Sequence, residues 1–313
     1  MPPGEGKVRK PMSFLRRIRR KASRSPHLRA PVVWCRHHGL TARDVFVASY
    51  PRSGSTWLRF LLSELLTDDS AGFDQVNRMI PDVGSHRRCP ALLPGGRRLI
   101  KTHEAYRSVY QKAVYIVRDV RDVVLSEFDY ENSRRRIAED FDTFLMLSLK
   151  DNVNGYGSWQ EHLLSWVDSP LGGTGRLLVI RFEELRAQTE ETLAAVAAFL
   201  GVAADRSAIR RAIAGNSLQR MREKEDQAPV IDGYSTARSN GNGSRFIGSG
   251  SIGGWRARLS DQQVRLIEQH AGFGLSRMGY PLHTVPVTVR QDLTVVKRWE
   301  VERSGSVRGD RTT

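Results

Sequence analysis

The sequence predicts an α/β protein of three layers, a central parallel sheet with helices covering both faces. Three observations predict it. Four short apolar runs, "DVFVASY" (44–50), "RRLIKTH" (97–103), "KAVYIVR" (112–118) and "RLLVIRFEEL" (176–185), read as buried strands. Amphipathic helical patterns alternate with them, as a parallel sheet requires of its crossovers. The chain has 313 residues, of which 40% are apolar, enough for one large domain or two small ones around a real core.

Taken in order, residues 1–38 form a basic arm, with eleven Lys/Arg against Glu5 alone. The arm holds most of the net charge of +15, so the body is only mildly basic. Within it, "FLRRIRRKASR" (14–24) has the composition either of a flexible solvated arm or of a short basic helix on an anionic membrane or acidic partner. After the first strand, "STWLRFLLSELL" is an amphipathic helix with Trp57, Leu58, Leu61, Leu62, Leu65 and Leu66 at three- and four-residue spacing. Residues 68–96 are rich in loop signals. Asp119 opens a helix over 119–131, and further helical patterns cover 139–150 and 158–167. The fourth strand runs into a turn before "TEETLAAVAAFLG", a helix stopped by Gly201. One helix is expected over 205–222, a polar Gly/Ser/Asn-rich stretch over 226–254, and a last helix over 260–277. Strand-like pieces follow from 284. The division expected is an arm (1–38), a main domain (39–283) and a C-terminal extension (284–313).

Several function classes are disfavoured at once. No run of 18 uncharged apolar residues exists to cross a membrane, and the N-terminus lacks the apolar core of a secretory signal, so a cytoplasmic protein is expected. Cys35 and Cys89 alone make neither a metal cluster nor a disulfide framework. The basic charge sits in the arm without an aromatic–basic pattern, so nucleic acid is not an expected partner.

The stretch "PRSGST" (51–56), between the first strand and its helix, needs another explanation. The first turn of a helix leaves N–H groups unpartnered at the positive end of the helix dipole. Gly54 permits a tight turn; Ser53, Ser55 and Thr56 add hydroxyls; Arg52 adds charge. That set is suited to a phosphate or sulfonate. The magnesium-dependent nucleotide loop GxxxxGK[ST] is absent, so the anion is expected to be held without a metal. In open parallel sheets ligands bind at the carboxyl ends of strands, which directs attention to 50–56, 101–105 and 118–120.

With these motifs in view, the chain resembles the cytosolic-type sulfotransferases, in a bacterial-like form. "YPRSGSTW" is similar to their 5′-phosphosulfate loop, "IKTH" to the strand end bearing their catalytic histidine, and "YIVRDVRDVVLSEF" to their 3′-phosphate strand and helix. The resemblance spans about 42–280. It implies a P-loop-like domain, 3′-phosphoadenosine 5′-phosphosulfate (PAPS) as sulfuryl donor, 3′,5′-diphosphoadenosine (PAP) as product, no metal, and a small-molecule, sugar or lipid hydroxyl as acceptor. It further implies His103 as general base, with Lys101 and Arg52 as cations for the leaving group. Ser53, Gly54, Ser55 and Thr56 would hold the 5′-phosphate, Trp57 would stack on adenine, and Arg118 with Ser126 would take the 3′-phosphate. Phe182 stands where the family often has Tyr; Ser217 and Leu218 fall in an adenine-lining segment; Phe246 to Gly250 fall in a cofactor loop. There Gly250, Gly253 and Trp255 keep the family's frame, while Gly248 and Ser249 replace an Arg-Lys pair, with Arg245 as a candidate substitute. Glu104 is a candidate contact for a sugar or amine-bearing acceptor. Two other readings compete: a related kinase, which would need magnesium and a loop lysine, and a non-catalytic nucleotide-binding scaffold, for which His103 and Lys101 would have no use.

Overall fold

In a computed structural model, residues 26–133, 139–150, 154–228, 230–231, 234–235 and 245–284 are described. The sheet consists of β1 (Val45–Ser49), β2 (Leu99–Thr102), β3 (Ala113–Val117) and β4 (Leu177–Arg181), in the order β2-β1-β3-β4. All three pairings are parallel, with Val45 opposite Leu99, Phe46 opposite Ala113 and Ala113 opposite Leu177. The expected α/β three-layer architecture is therefore present.

The two-residue period of a strand sorts the core into two halves. Phe46, Ala48, Ala113, Tyr115 and Val117 face one side, where they meet α4 (Val120–Ser133), α5 (Phe141–Lys150), α6 (Trp159–Val167) and α11 (Asp261–Arg277). Val45, Val47, Val114 and Ile116 face the other, against α2 (Ser55–Thr67), α7 (Phe182–Ala187), α8 (Thr189–Leu200) and α9 (Arg206–Gly215). Burial on both faces explains why these strands read as continuous apolar runs.

Several local expectations are revised. Helix α1 (Pro26–His37) lies inside the segment expected as a flexible arm; Val33 is buried and Arg36 binds the Val83 carbonyl at 2.8 Å, so the domain's contacts begin before residue 39. The basic run 14–24 and the strand-like pieces beyond 284 lie outside the described residues. The loop-rich stretch 68–96 holds α3 (Phe73–Met79), and its residues Pro81 to Val83 run alongside β2, with Lys101 N–H donating to Pro81 and Val83 N–H to Lys101. The single helix expected over 205–222 is two, α9 and α10 (Leu218–Gln227). The break is at Ser217, whose hydroxyl accepts the Arg220 N–H as a cap. Strand β4 passes directly into α7 instead of a turn. Two short strands, β5 (Val230–Ile231) and β6 (Tyr234–Ser235), pair antiparallel within the polar stretch. No helix among the described residues is long and apolar enough to cross a membrane.

Candidate active site

The sheet order puts the carboxyl end of β1 between those of β2 and β3. The PRSGST loop therefore has the His103 segment on one flank and the Arg118 segment on the other. Within the loop, Arg52 has φ 65° and Gly54 φ 100°, both left-handed. Gly54 is obligatory for a second reason: a Cβ there would stand 2.4 Å from the Phe182 ring. Gly54 itself occupies the cap position of α2, which has no side-chain cap, and the Ser53 hydroxyl is fully buried without a partner. Buried polar atoms are almost always satisfied, so an orphaned hydroxyl beside an uncapped helix end has the chemistry to hold an anion.

On the β3 flank, Arg118 is 8% exposed and donates to the carbonyls of Arg52 (3.1 Å) and Ser251 (3.0 Å). Its Nε is buried and unpartnered. Burial lowers its pKa from the ordinary arginine value, opposed by the nearby carboxylates Asp122 and Glu183. The carboxylate four residues on does not pair with it: Asp122 accepts the N–H groups of Gly253 (2.7 Å) and Trp255 (2.9 Å) and thereby fixes the GGW turn. A buried guanidinium with an N–H to spare is poised for an anion.

Arg52 departs from its expected place. Its Nε donates to the Ser126 hydroxyl (3.2 Å) and its guanidinium lies over Tyr130 and Phe246, at 4.5 and 5.4 Å from the ring centroids. The side chain thus belongs to the Arg118–Ser126 flank rather than to the histidine flank. Trp57 and Phe182 meet edge to face at 6.4 Å, and the Trp57 indole N–H donates to Asn216 (2.8 Å). Ser55 is buried, Thr56 half-buried, and Leu218 begins α10 just beyond that contact. Gly248 and Ser249 are exposed, and Gly250, at φ 59°, lies against Phe182 and Arg186. Arg245 turns away from the cofactor loop to Asp226 (3.1 Å) and the Arg222 carbonyl (3.3 Å), so it does not stand in for the replaced Arg-Lys pair.

On the β2 flank, His103 Nδ1 lies 2.7 Å from the Ser49 carbonyl and 3.2 Å from its hydroxyl. A carbonyl only accepts, so Nδ1 carries the proton and Nε2 presents its lone pair, with no hydrogen bond to any described residue. Burial, reinforced by the Lys101 cation, depresses its pKa to about 3. Lys101 itself pairs with Asp82 at 3.1 Å. Burial alone would raise the Asp82 pKa; Lys101, Arg59 and His103 outweigh it and hold that carboxyl at about 2. Glu104 is 3% exposed and bound by Arg36 (3.1 Å), which removes it as an acceptor contact. Among the other histidines, His86 is fully buried and His37 half-buried, its Nε2 2.5 Å from the Tyr110 hydroxyl. The residues the sequence did not single out are Asp82, Arg36, Tyr156 (5.8 Å from the His103 ring), Arg186 and Glu127.

This arrangement gathers polar groups suited to an anion at the carboxyl edge of a parallel sheet, with the His103 imidazole beside them. The sulfotransferase domain model matches residues 42–279, and the chain belongs to that family. Among relatives, it is 27% identical to mouse sulfotransferase 1B1 over 240 residues, 69% of this chain and 77% of that one. It is 24% identical to a flavonol sulfotransferase-like protein of Flaveria bidentis over 184 residues, half of this chain and 57% of that one. Among solved structures, mouse sulfotransferase SULT7A1 complexed with PAP superposes with a TM-score of 0.57 at 23% identity, covering 85% of this chain and 89% of that one. Retinol dehydratase in complex with retinol and PAP gives 0.58 at 20% identity, covering 75% and 82%. Both neighbours share the fold.

Proposed function

We propose that the protein is a PAPS-dependent O-sulfotransferase acting on a small-molecule hydroxyl, without a metal. One observation carries the reading: the orphaned Ser53 hydroxyl and the spare Arg118 N–H border the Gly54 loop, and His103 presents an unprotonated Nε2 on its other flank. The residues fit a nucleotide with an anionic group at both its 5′ and its 3′ position. Ser53 to Thr56 and the α2 amino end take the 5′ side, Arg118 and Ser126 the 3′-phosphate, and Trp57, Phe182, Ser217, Leu218 and Phe246 surround the base. The donor supplies an activated sulfuryl group, whose bond to the 5′-phosphate oxygen breaks as the acceptor oxygen bonds to sulfur.

The chain's own work is positioning and proton removal. The Ser49 carbonyl holds His103 in the tautomer whose Nε2 receives the acceptor's proton. In the free protein His103 is a neutral, weak base, because burial and Lys101 disfavour its charge. An anion bound in the loop offsets the Lys101 field and raises the imidazole's basicity when the hydroxyl arrives. Lys101, held at the end of β2 by Asp82, stabilises charge developing on the leaving oxygen. Arg52 serves the 3′ side in the geometry seen here and reaches the sulfonate only by leaving Ser126.

The test is transfer of labelled sulfate from PAPS to a panel of sugar, phenol and aliphatic alcohols in metal-free buffer with chelator. Sulfate esters are expected from the parent and not from His103→Ala. Magnesium-dependent phosphoryl transfer from ATP instead would overturn the reading.

A further inference from the structure

The loop that closes the 3′ flank reads Gly248-Ser249-Gly250-Ser251 and carries no cation of its own. A terminal phosphomonoester bears a charge of about −1.5 to −2 at neutral pH. Arg118 contributes one buried guanidinium and Arg52, on the Ser126 hydroxyl, another on the inner side; three further cations nearby are committed elsewhere. Arg245 pairs with Asp226, Arg121 with Asp119 (2.7 Å) and Glu268 (2.8 Å), and Arg256 lies over Trp255 at 4.5 Å.

Arg186, on α7, is different. It is exposed and makes no hydrogen bond or ion pair with any described residue. Its guanidinium stands 5.3 Å over the Trp57 ring, and its Nε and Cζ lie 3.8 and 4.0 Å from the Cβ position of Gly250. The Phe182 ring also reaches that position, at 3.9 Å, and carries Arg118 at 4.7 Å. Two guanidinium groups thus gather about one loop glycine: the exposed Arg186 directly beside it, and the buried Arg118 through the Phe182 ring.

We propose that Arg186 is a nucleotide-binding residue, supplying the outer cation for a 3′-phosphate in place of charges that positions 248 and 249 lack; this rests on the nucleotide reading above. A phosphate seated against Gly250 takes one guanidinium from each side, and the unpaired arginine exchanges a weak ring contact for a charge-assisted one.

Calorimetry with PAP and with 5′-AMP, which lacks the 3′-phosphate, tests this on the full chain. The parent is expected to prefer PAP. Arg186→Ala should weaken PAP binding about tenfold or more and 5′-AMP less than twofold, since a charge-assisted contact is worth about 1.5–3 kcal/mol. Adding Gly248→Arg and Ser249→Lys to Arg186→Ala should restore PAP affinity; a Cβ at Gly248 meets nothing within 4 Å. Unchanged PAP binding in Arg186→Ala, equal weakening of both nucleotides, or a triple variant no better than Arg186→Ala would each overturn the assignment. A parent that binds PAP no better than 5′-AMP would instead remove the nucleotide reading, and this proposal with it.

Discussion

The two flanks of the PRSGST loop are built on opposite principles. On the Arg118 flank polar atoms are left over: the buried Ser53 hydroxyl and Arg118 Nε lack hydrogen-bond partners among the described residues, and the exposed Arg186 guanidinium rests on the Trp57 ring without a hydrogen bond. On the His103 flank charges are already matched, Lys101 with Asp82 and Glu104 with Arg36, while Ser49 fixes the imidazole. Unsatisfied buried groups cost stability, so the first flank is arranged for a ligand that completes it. The second keeps its geometry without one. Binding and chemistry should therefore separate under mutation.

The largest effect expected is on the chemistry. His103→Ala should reduce sulfuryl transfer by about 10²–10⁴-fold, the usual worth of a general base, and leave PAP affinity within twofold by calorimetry. Comparable loss of both would mean that the flanks are not separable. Next, Gly54→Ala forces a Cβ to 2.4 Å from the Phe182 ring at φ 100°, and should abolish measurable PAP binding and lower the melting temperature by several degrees. Retained binding would show that the loop does not need its present shape.

A stability measurement sharpens the comparison further. Glu127, adjacent to Ser126, is 5% exposed and bound by Asn154 at 2.9 Å. Burial, with Glu131 nearby, lifts its pKa to about 7 against the pull of Asn154 and Arg52. A carboxyl raised in the fold contributes stability that is present below its ordinary value of 4.5 and lost as pH rises through 7. Glu127→Gln should therefore be near neutral at pH 5 and stabilising at pH 8, by roughly 3 kcal/mol at most. Thermal melts at the two pH values decide it; a variant less stable at pH 8 would contradict the assignment. His103 has the reverse sign. Its depressed pKa makes its contribution complete above pH 6.5 and lost as pH falls toward 3. The smallest effect expected is from Arg36→Ala: removal of the half-exposed partner of Glu104 should alter transfer or acceptor KM and leave PAP affinity unchanged in calorimetry.

Much of this was legible in the sequence, and the remainder was hidden for identifiable reasons. Strands buried on both faces announce themselves as apolar runs, and all four were placed within two residues of their starts. The loop glycine, the histidine after β2 and the Arg118–Ser126 pair were readable because they sit at fixed offsets from those strands. The seven-residue α3 was not, since Gly and Pro punctuate its surroundings and a helix so short depends on tertiary packing. The direction of Arg52 was not readable either: a long flexible side chain on a left-handed residue reaches several partners, and Ser126 lies 74 positions away. Asp82 and Arg36 lie outside any motif and reach the site only because residues 81–83 and α1 pack against β2 and its exit. Arg186 is one of many arginines in the chain, and only its position over Trp57 and beside Gly250 separates it from a surface cation.

The account depends on an anion receptacle at the amino end of α2 that takes a 3′-phosphorylated adenosine nucleotide. Calorimetry of PAP against ATP in metal-free buffer, on the parent and on Arg118→Ala, tests it most directly. Preference for PAP in the parent and its collapse in Arg118→Ala are the results predicted. Preference for ATP, or an Arg118→Ala protein that binds PAP as tightly as the parent, would contradict the account.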